Sequence, residues 1–248
     1  MDKIRSKQIV SFALLLGTLI GPISASAEWY ADLYGGGAFT QDMKYRQIRG
    51  EGLTLDAKLN VDNSFTVGGR TGYWFEGLPW LGIGLDVFYF EPSIPEQSVA
   101  TTGTFMGVSD TAQLRFRHSS ISVIAIGFDV LRLRLPLLKS LQYPHGQLQP
   151  YITAGPALFI TRAEDSANVF SPSNQSKTDT SLGLKVGGGA AFHITRALAL
   201  FGEYRFTHFK ADATFRDQNL DENNPPVDVT TQMKFDTHHV IAGLSFRF

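Results

Sequence analysis

The last ten residues, HVIAGLSFRF at 239–248, contain the pattern that decides the fold. Successive side chains of a β-strand point to opposite sides, so every second residue shares a face. The residues on one face here are all apolar: Val240, Ala242, Leu244, Phe246 and Phe248. Alternation over about ten residues is typical of tilted strands that cross a bilayer. The chain therefore ends in a predicted membrane-crossing strand.

Seven further stretches alternate in the same way and are separated by Gly, Pro, Asn, Asp and Ser. The eight predicted strands are 29–40, 65–75, 81–91, 113–130, 148–161, 182–194, 198–209 and 235–248. An even number of antiparallel strands closes a single-chain barrel with both termini on one side. We therefore predict an all-β fold, an eight-stranded antiparallel up-and-down transmembrane β-barrel. The alternative is a soluble lipocalin-like barrel with its apolar face inside.

The connections alternate between long and short. The long ones are polar and span 41–64, 92–112, 162–181 and 210–234, whereas 76–80 and 195–197 are short and 131–147 is basic. Such barrels have long loops outside the cell and short turns in the periplasm. The outer connections, with Glu91 included, hold nine Lys/Arg and fifteen Asp/Glu, a net charge of −6. Two interpretations of this charge are open: a solvated polar surface, or loop tips that bind cations or an extracellular ligand.

Aromatic side chains gather at one end of the predicted strands. Trp29, Trp74 and Trp80, together with Tyr73 and Tyr151, lie close to the short turns. Rings with a polar edge favour the depth of the lipid headgroups. We therefore expect these residues to form an interfacial belt on the periplasmic side.

The first 27 residues have the three parts of a secretory signal peptide. A basic start is followed by the apolar segment 9–23 and by the small-residue site Ala25-Ser26-Ala27 before Glu28. The apolar segment has about 15 residues, fewer than the roughly 20 that a spanning helix needs. We expect a signal peptide at 1–27, a barrel domain at 28–248 and a bacterial outer-membrane location. The mature chain would carry 19 Lys/Arg and 22 Asp/Glu, which does not favour a nucleic-acid partner.

Four stretches carry a resemblance to a known family. They are WYADLYGGGAF at 29–39, LQPYITAGPALF at 148–159, LALFGEYRFTHF at 198–209 and HVIAGLSFRF at 239–248. Together they resemble the eight-stranded OmpA-like and opacity-type outer-membrane barrels. The resemblance implies the barrel domain only, with no peptidoglycan-binding domain, in contact with outer-membrane lipids and lipopolysaccharide. It also implies that Phe246 and Phe248 form the C-terminal signal for the barrel-assembly machinery.

Six charged residues, three acidic and three basic, fall on the lumen face of the predicted strands. They are Asp32, Arg70, Asp86, Lys185, Glu203 and Arg205. Arg70 and Asp86 are each eight residues from Leu78, the centre of a short turn, so they should lie directly opposite each other. Lys185 and Glu203 should meet diagonally across the turn near Thr195, with Arg205 beside them.

The same cluster should extend to the seam of the barrel, where Asp32 is expected to reach Arg247. A Lys or Arg on the lipid face at mid-depth would cost about 2–4 kcal/mol, whereas paired charges inside satisfy one another. We predict a chain of buried ion pairs that plugs the lumen and specifies the strand register. The alternative is an open pore in which water separates the charges.

A polar triplet suggests a catalytic alternative. His118 and Ser120 share one face of the predicted strand 113–130, and Glu91 ends the neighbouring strand. A lipid-facing Ser–His–acid set resembles the outer-membrane lipid A deacylases, whose His-x-Ser motif continues with Asn, whereas Ile121 follows here. We expect no enzyme activity, and a lipid A-modifying esterase is the alternative.

The expected function is an integral outer-membrane barrel with a structural or surface-interaction role that displays four extracellular loops. A narrow channel is a further alternative, since eight strands enclose just enough room for side chains. No cofactor is expected, because the glycine triplets 35–37 and 187–189 lack the GxGxxG spacing. No metal site is expected either, because the adjacent His238 and His239 point to opposite faces.

Overall fold

The computed structural model describes residues 28–49, 53–164, 176–217 and 227–248. The predicted signal peptide lies outside these ranges. Within them the strands, in chain order, are β1 Glu28–Thr40, β2 Met43–Arg49, β3 Leu53–Leu59, β4 Ser64–Trp74, β5 Leu81–Phe90, β6 Ser93–Ile94, β7 Gln97–Phe105, β8 Val108–Phe116, β9 Ser119–Arg134, β10 Leu148–Glu164, β11 Ser176–His193, β12 Leu198–Asp217 and β13 Val227–Arg247. None of the described residues belongs to a helix long and apolar enough to span a membrane.

Eight of these strands form a closed barrel. Their order is β1, β4, β5, β9, β10, β11, β12 and β13, all neighbours are antiparallel, and β13 pairs back with β1. The closing pair places Tyr30 opposite Arg247 and Gly37 opposite Val240. The predicted eight-stranded antiparallel barrel is confirmed.

Alternation along the strands separates a lipid face from a lumen face. The side chains of Leu33, Leu182 and Val240 are 55%, 74% and 56% exposed, whereas Asp32 and Lys185 are buried inside the barrel. Apolar side chains outside and charged side chains inside are the reverse of a soluble barrel. The lipocalin-like alternative is therefore wrong.

The fourth barrel strand differs from its prediction. Residues 113–116 belong to β8, and β9 runs from Ser119 to Arg134 instead of ending at 130. β9 has one more residue than β10 between Gly127 and Leu131, and one more than β5 between Asp129 and Arg132. This β-bulge places two consecutive residues on the outer face, so the following arginines point into the lumen. The basic turn predicted at 131–147 therefore begins only after Arg134.

The backbone comes unusually close to itself at this bulge. A Cβ atom added at Gly155 of β10 would lie 1.7 Å from the carbonyl oxygen of Phe128 on β9. Only glycine fits such an approach without moving the strands.

On the side of the long connections, strands continue beyond the barrel. The β2–β3 hairpin lies against the extended β13, and the β7–β8 hairpin lies against β3. Residues 41–64 and 92–112, predicted as polar loops, are therefore largely strands. Their inner face is apolar, since Met43 and Leu59 are fully buried, and this burial stabilises an ordered extracellular sheet.

Candidate functional site in the barrel lumen

Asp86 on β5 is the centre of a buried charged layer. Arg70 lies directly opposite it on β4, with Arg70 Nε 3.5 Å from Asp86 Oδ2. Lys185 Nζ and Arg205 Nη2 lie 2.7 Å and 2.9 Å from the same oxygen. The hydroxyl of Tyr34 donates to Asp86 Oδ1. One carboxylate therefore holds three cations that come from three other strands.

Glu203 on β12 is the second acceptor of this layer. Arg70 Nη2 donates to Glu203 Oε2 at 2.8 Å, and Tyr151 Oη donates to the same oxygen at 2.9 Å. Arg205 donates to Glu203 Oε1 through Nε at 3.0 Å and through Nη2 at 2.9 Å. Because Arg70 and Arg205 contact both carboxylates, the charges form a single network across the lumen.

The predicted contact between Lys185 and Glu203 is wrong. Lys185 lies opposite Thr207, and Glu203 lies opposite Gly189, four residues away along β11. The turn is centred one residue later than Thr195, which moves the two side chains apart. Lys185 Nζ instead lies 2.7 Å from Asp129 Oδ1, in addition to its contact with Asp86.

The predicted contact between Asp32 and Arg247 is also wrong. Arg247 lies opposite Tyr30, and its Nη1 is 3.6 Å from Glu28 Oε1. Asp32 Oδ2 lies 3.9 Å from Arg70 Nε and 3.7 Å from Arg132 Nη2. No turn joins β1 to β13, so the spacing along the chain could not define this register.

Sequence reasoning missed two members of the layer, Asp129 and Arg132. With them the layer holds four acidic and four basic groups, all buried. Arg132 also lies over the rings of Tyr30 and Tyr151, 4.7 Å and 4.6 Å from their centroids. Asp129 could have been found, since it alternates with the outward Phe128. Arg132 could not, because the bulge reverses the phase before it.

A second layer closes the periplasmic end. Arg134 donates to both carboxylate oxygens of Glu28, at 2.9 Å and 2.5 Å. Arg134 also lies over the ring of Trp74, 4.3 Å from its centroid. A cavity of about 610 Å³ opens beside this layer, and Glu28, Trp74, Arg134, His193 and Arg247 contribute to its wall.

The predicted aromatic belt is therefore only partly correct. Trp29 and Trp80 are exposed on the outer face, 42% and 47% respectively. Trp74 and Tyr151 are buried inside the lumen, where they contact arginines. Trp74 has the same strand phase as Arg70, four residues before it on β4, and both side chains are buried in the lumen.

The extracellular half of the lumen is filled by aromatic rings. Phe209 stacks on Phe159 and on Phe235, with centroid distances of 4.1 Å and 4.7 Å and interplanar angles of 8° for both. Phe88 and Phe90 are buried beside them. The lumen therefore consists of a basic periplasmic layer, a neutral ionic layer and an aromatic layer.

The residues of the catalytic alternative lie near the outer end of β9. His118 is in the short break between β8 and β9, so it does not share a strand face with Ser120, which pairs with Ser93. Glu91 Oε2 accepts a hydrogen bond from Tyr89 Oη at 2.6 Å. The esterase stays a hypothesis. Within the described ranges, no group of three His, Asp or Glu side chains could hold a metal ion.

The chain is similar to solved structures of outer-membrane proteins. The outer membrane protein OprG from Pseudomonas aeruginosa is 13% identical, with 90% of this chain and 96% of that chain covered and a TM-score of 0.55. Neisserial surface protein A is 12% identical, with 90% and 98% covered and a TM-score of 0.42. At 13% identity the likeness to OprG concerns the fold alone. The search of curated proteins found no match.

The sequence also matches a family model. The model describes the outer membrane protein beta-barrel domain and matches residues 12–248. This match agrees with the closed barrel, its apolar outer face and its charged lumen. The chain therefore belongs to the family of the outer membrane protein beta-barrel domain and is an integral protein of the outer membrane.

Proposed function

We propose that the protein is a sealed outer-membrane barrel with a structural or surface-interaction role. The observation that carries this proposal is the filled lumen. Arg70, Asp86, Glu203 and Arg205 meet from different sides of the barrel, and the stacked rings around Phe209 fill the space above them. An eight-stranded barrel has just enough interior for its own side chains, so little room is left for a solute.

The ordered extracellular sheet supports the surface role. The hairpins β2–β3 and β7–β8 extend the wall of the barrel above the membrane. A paired sheet presents its side chains in a defined arrangement at low further entropic cost, as recognition surfaces require. We propose that the extracellular ligand contacts this sheet.

Electrical recording separates the sealed barrel from a narrow channel. The purified full chain, inserted in a planar lipid bilayer, should give no single-channel steps above the protein-free bilayer, whereas a sixteen-stranded porin serves as the positive control. Reproducible steps from the wild-type protein would favour the channel and contradict the sealed lumen.

Deleting the β7–β8 hairpin tests the surface role. A variant in which a short Gly-Ser turn replaces residues 97–116 should still insert, because the closed barrel does not include this hairpin. Adhesion to a host-cell monolayer is compared for the wild type, this variant and a deletion strain, and the variant should adhere as weakly as the deletion strain. Unchanged adhesion would show that the hairpin is not the binding surface.

We further infer that the protein is not an enzyme. Glu91 has Tyr89 as a hydrogen-bond partner, and His118 lies outside the strand that carries Ser120. The lipid A mass spectrum should be the same for the wild type, Ser120→Ala and the deletion strain. A deacylated species that disappears in Ser120→Ala would establish the esterase instead.

We propose that export removes residues 1–27 and that the barrel-assembly machinery reads the C-terminal strand. Phe246 and Phe248 lie on the outer face, and the backbone N–H of Phe248 donates to the carbonyl oxygen of Trp29 at 3.0 Å. N-terminal sequencing should start at Glu28. Deleting Phe248 should reduce insertion strongly, whereas deleting Leu141, fully exposed in a turn, should not.

A further inference from the structure

Four lysines form a straight row across the outer face of the extracellular sheet. Lys58 of β3 lies directly opposite Lys44 of β2, Lys44 lies opposite Lys234 of β13, and Lys234 lies opposite Lys210 of β12. We call these four residues the lysine row. Neighbouring strands lie about 4.8 Å apart, so the row extends for about 14 Å.

All four side chains point away from the lumen. The residues beside them along each strand, Met43, Leu59, Phe209 and Phe235, are buried with at most 1% exposure. Because successive residues of a strand face opposite sides, the lysines lie on the outer surface. Lys44, Lys58 and Lys210 are exposed, and Lys234 is partly exposed.

The row lies just above the apolar band of the barrel. On β13 the outward apolar residues run from Phe248 to Val240, and His238 follows them. Ten residues of a tilted strand rise about 26 Å, close to the roughly 25 Å height of such a band. Lys234 lies four residues beyond His238, about 10 Å further along the membrane normal. The lysine row is therefore at the depth of the phosphate and sugar groups of the outer leaflet.

The described part of the chain neutralises only some of the charges of the row. Lys58 Nζ lies 2.8 Å from Asp42 Oδ2, and Lys234 Nζ lies 3.0 Å from Asp236 Oδ2. The ion pairs among the described residues do not include Lys44 or Lys210. Like charges directly opposite each other on paired strands are destabilising, and the row contains three such pairs in succession. An external anion would remove this repulsion.

We propose that the lysine row binds the phosphate groups of an outer-leaflet glycolipid, the lipid A part of lipopolysaccharide. Lys44 and Lys210 bind the phosphates as point charges, and the length of the row accommodates two phosphates of one headgroup. The extracellular connections are acidic as a whole, so the row is a local feature and not the result of a generally basic surface. The proposal requires that the long connections lie on the extracellular side of the membrane. It does not depend on whether the lumen conducts.

The test compares two double variants of the full chain with the same loss of charge. Lys44→Gln/Lys210→Gln removes the two lysines that have no carboxylate partner among the described residues. Arg117→Gln/Lys139→Gln removes two exposed cations elsewhere, in the break before β9 and in a periplasmic turn. Both variants should fold, because all four side chains are exposed, and heat-modifiable mobility on a gel verifies this.

Binding of purified bis-phosphorylated lipid A is measured in neutral detergent micelles, for example by thermophoresis. Since a basic residue near the surface contributes about fivefold to binding of an anionic lipid, Lys44→Gln/Lys210→Gln should bind about 10–30-fold more weakly than wild type. The control variant should retain wild-type affinity, and dephosphorylated lipid A should not distinguish the three proteins.

Three outcomes would overturn the proposal. Equal affinity of wild type and Lys44→Gln/Lys210→Gln would show that the row does not bind the lipid. An equal loss of affinity in the control variant would show that the effect comes from the net charge of the protein and not from the lysine row. Displacement of lipid A by equimolar inorganic phosphate would show that the site takes free phosphate and not a headgroup.

Discussion

The ionic layer and the aromatic layer of the lumen are equally buried but differ in what they require of their neighbours. Asp86 needs Arg70, Lys185 and Arg205 within about 3.5 Å, and a shift of one strand would separate them. Phe209 needs only a flat ring on each side, and Phe159 and Phe235 supply these rings. The comparison indicates that the ionic layer selects one strand register, whereas the aromatic layer excludes water with a wider tolerance.

The largest effect is expected where one carboxylate of the ionic layer is removed. Asp86→Ala leaves Lys185 with Asp129, Arg205 with Glu203, and Arg70 with Glu203 and the more distant Asp32. An uncompensated buried charge costs about 3–5 kcal/mol, so the free energy of unfolding should fall by about that amount in urea titrations of the vesicle-inserted protein.

Two further variants test whether the uncompensated buried charge causes this loss. Asp86→Ala/Lys185→Met restores the charge balance and should regain more than half of the loss. Asp56→Ala removes a carboxylate that pairs with Arg46 at 2.7 Å on the exposed sheet, and it should cost less than about 1 kcal/mol. Similar losses for Asp86→Ala and Asp56→Ala would mean that the lumen is wet and that the ionic layer does not select the register.

A smaller loss is expected in the aromatic layer. Phe209→Leu keeps an apolar side chain but removes two stacked pairs, each worth about 0.5–1.5 kcal/mol, so the loss should be about 1–3 kcal/mol. Phe209→Leu, like the wild type, should give no single-channel steps in a planar bilayer, since the ionic layer remains intact. A loss larger than that of Asp86→Ala would reverse the comparison between the two layers.

The smallest effect is expected at the β-bulge of β9, which lies between Asp129 and Arg132 of the ionic layer. Deleting Val130, which is exposed on the outer face, keeps Asp129 and Arg132 in the lumen and should change stability by about 1 kcal/mol or less. Deleting the lipid-facing Ile124 instead shifts the following residues to the opposite face, and this control should fail to insert. Failure of both deletions would show that the bulge itself is required.

Local alternation along the chain determines most of the fold by itself. The phase of β1, β11 and β13 places Asp32 and Lys185 inside and Val240 outside, as observed. The short turn around Leu78 places Arg70 opposite Asp86, because two antiparallel strands joined by a tight turn have a register that can be counted from its centre.

The tertiary structure alone decided the contacts that no short turn specifies. Arg247 faces Tyr30 because the barrel closes between strands that are distant in the chain. Arg132 faces the lumen because a bulge reverses the phase, and Lys44 meets Lys234 because a hairpin of the first long connection pairs with the last strand. Sequence spacing determines side-chain phase within a strand and register across a tight turn, whereas pairing between distant strands depends on how the whole sheet closes.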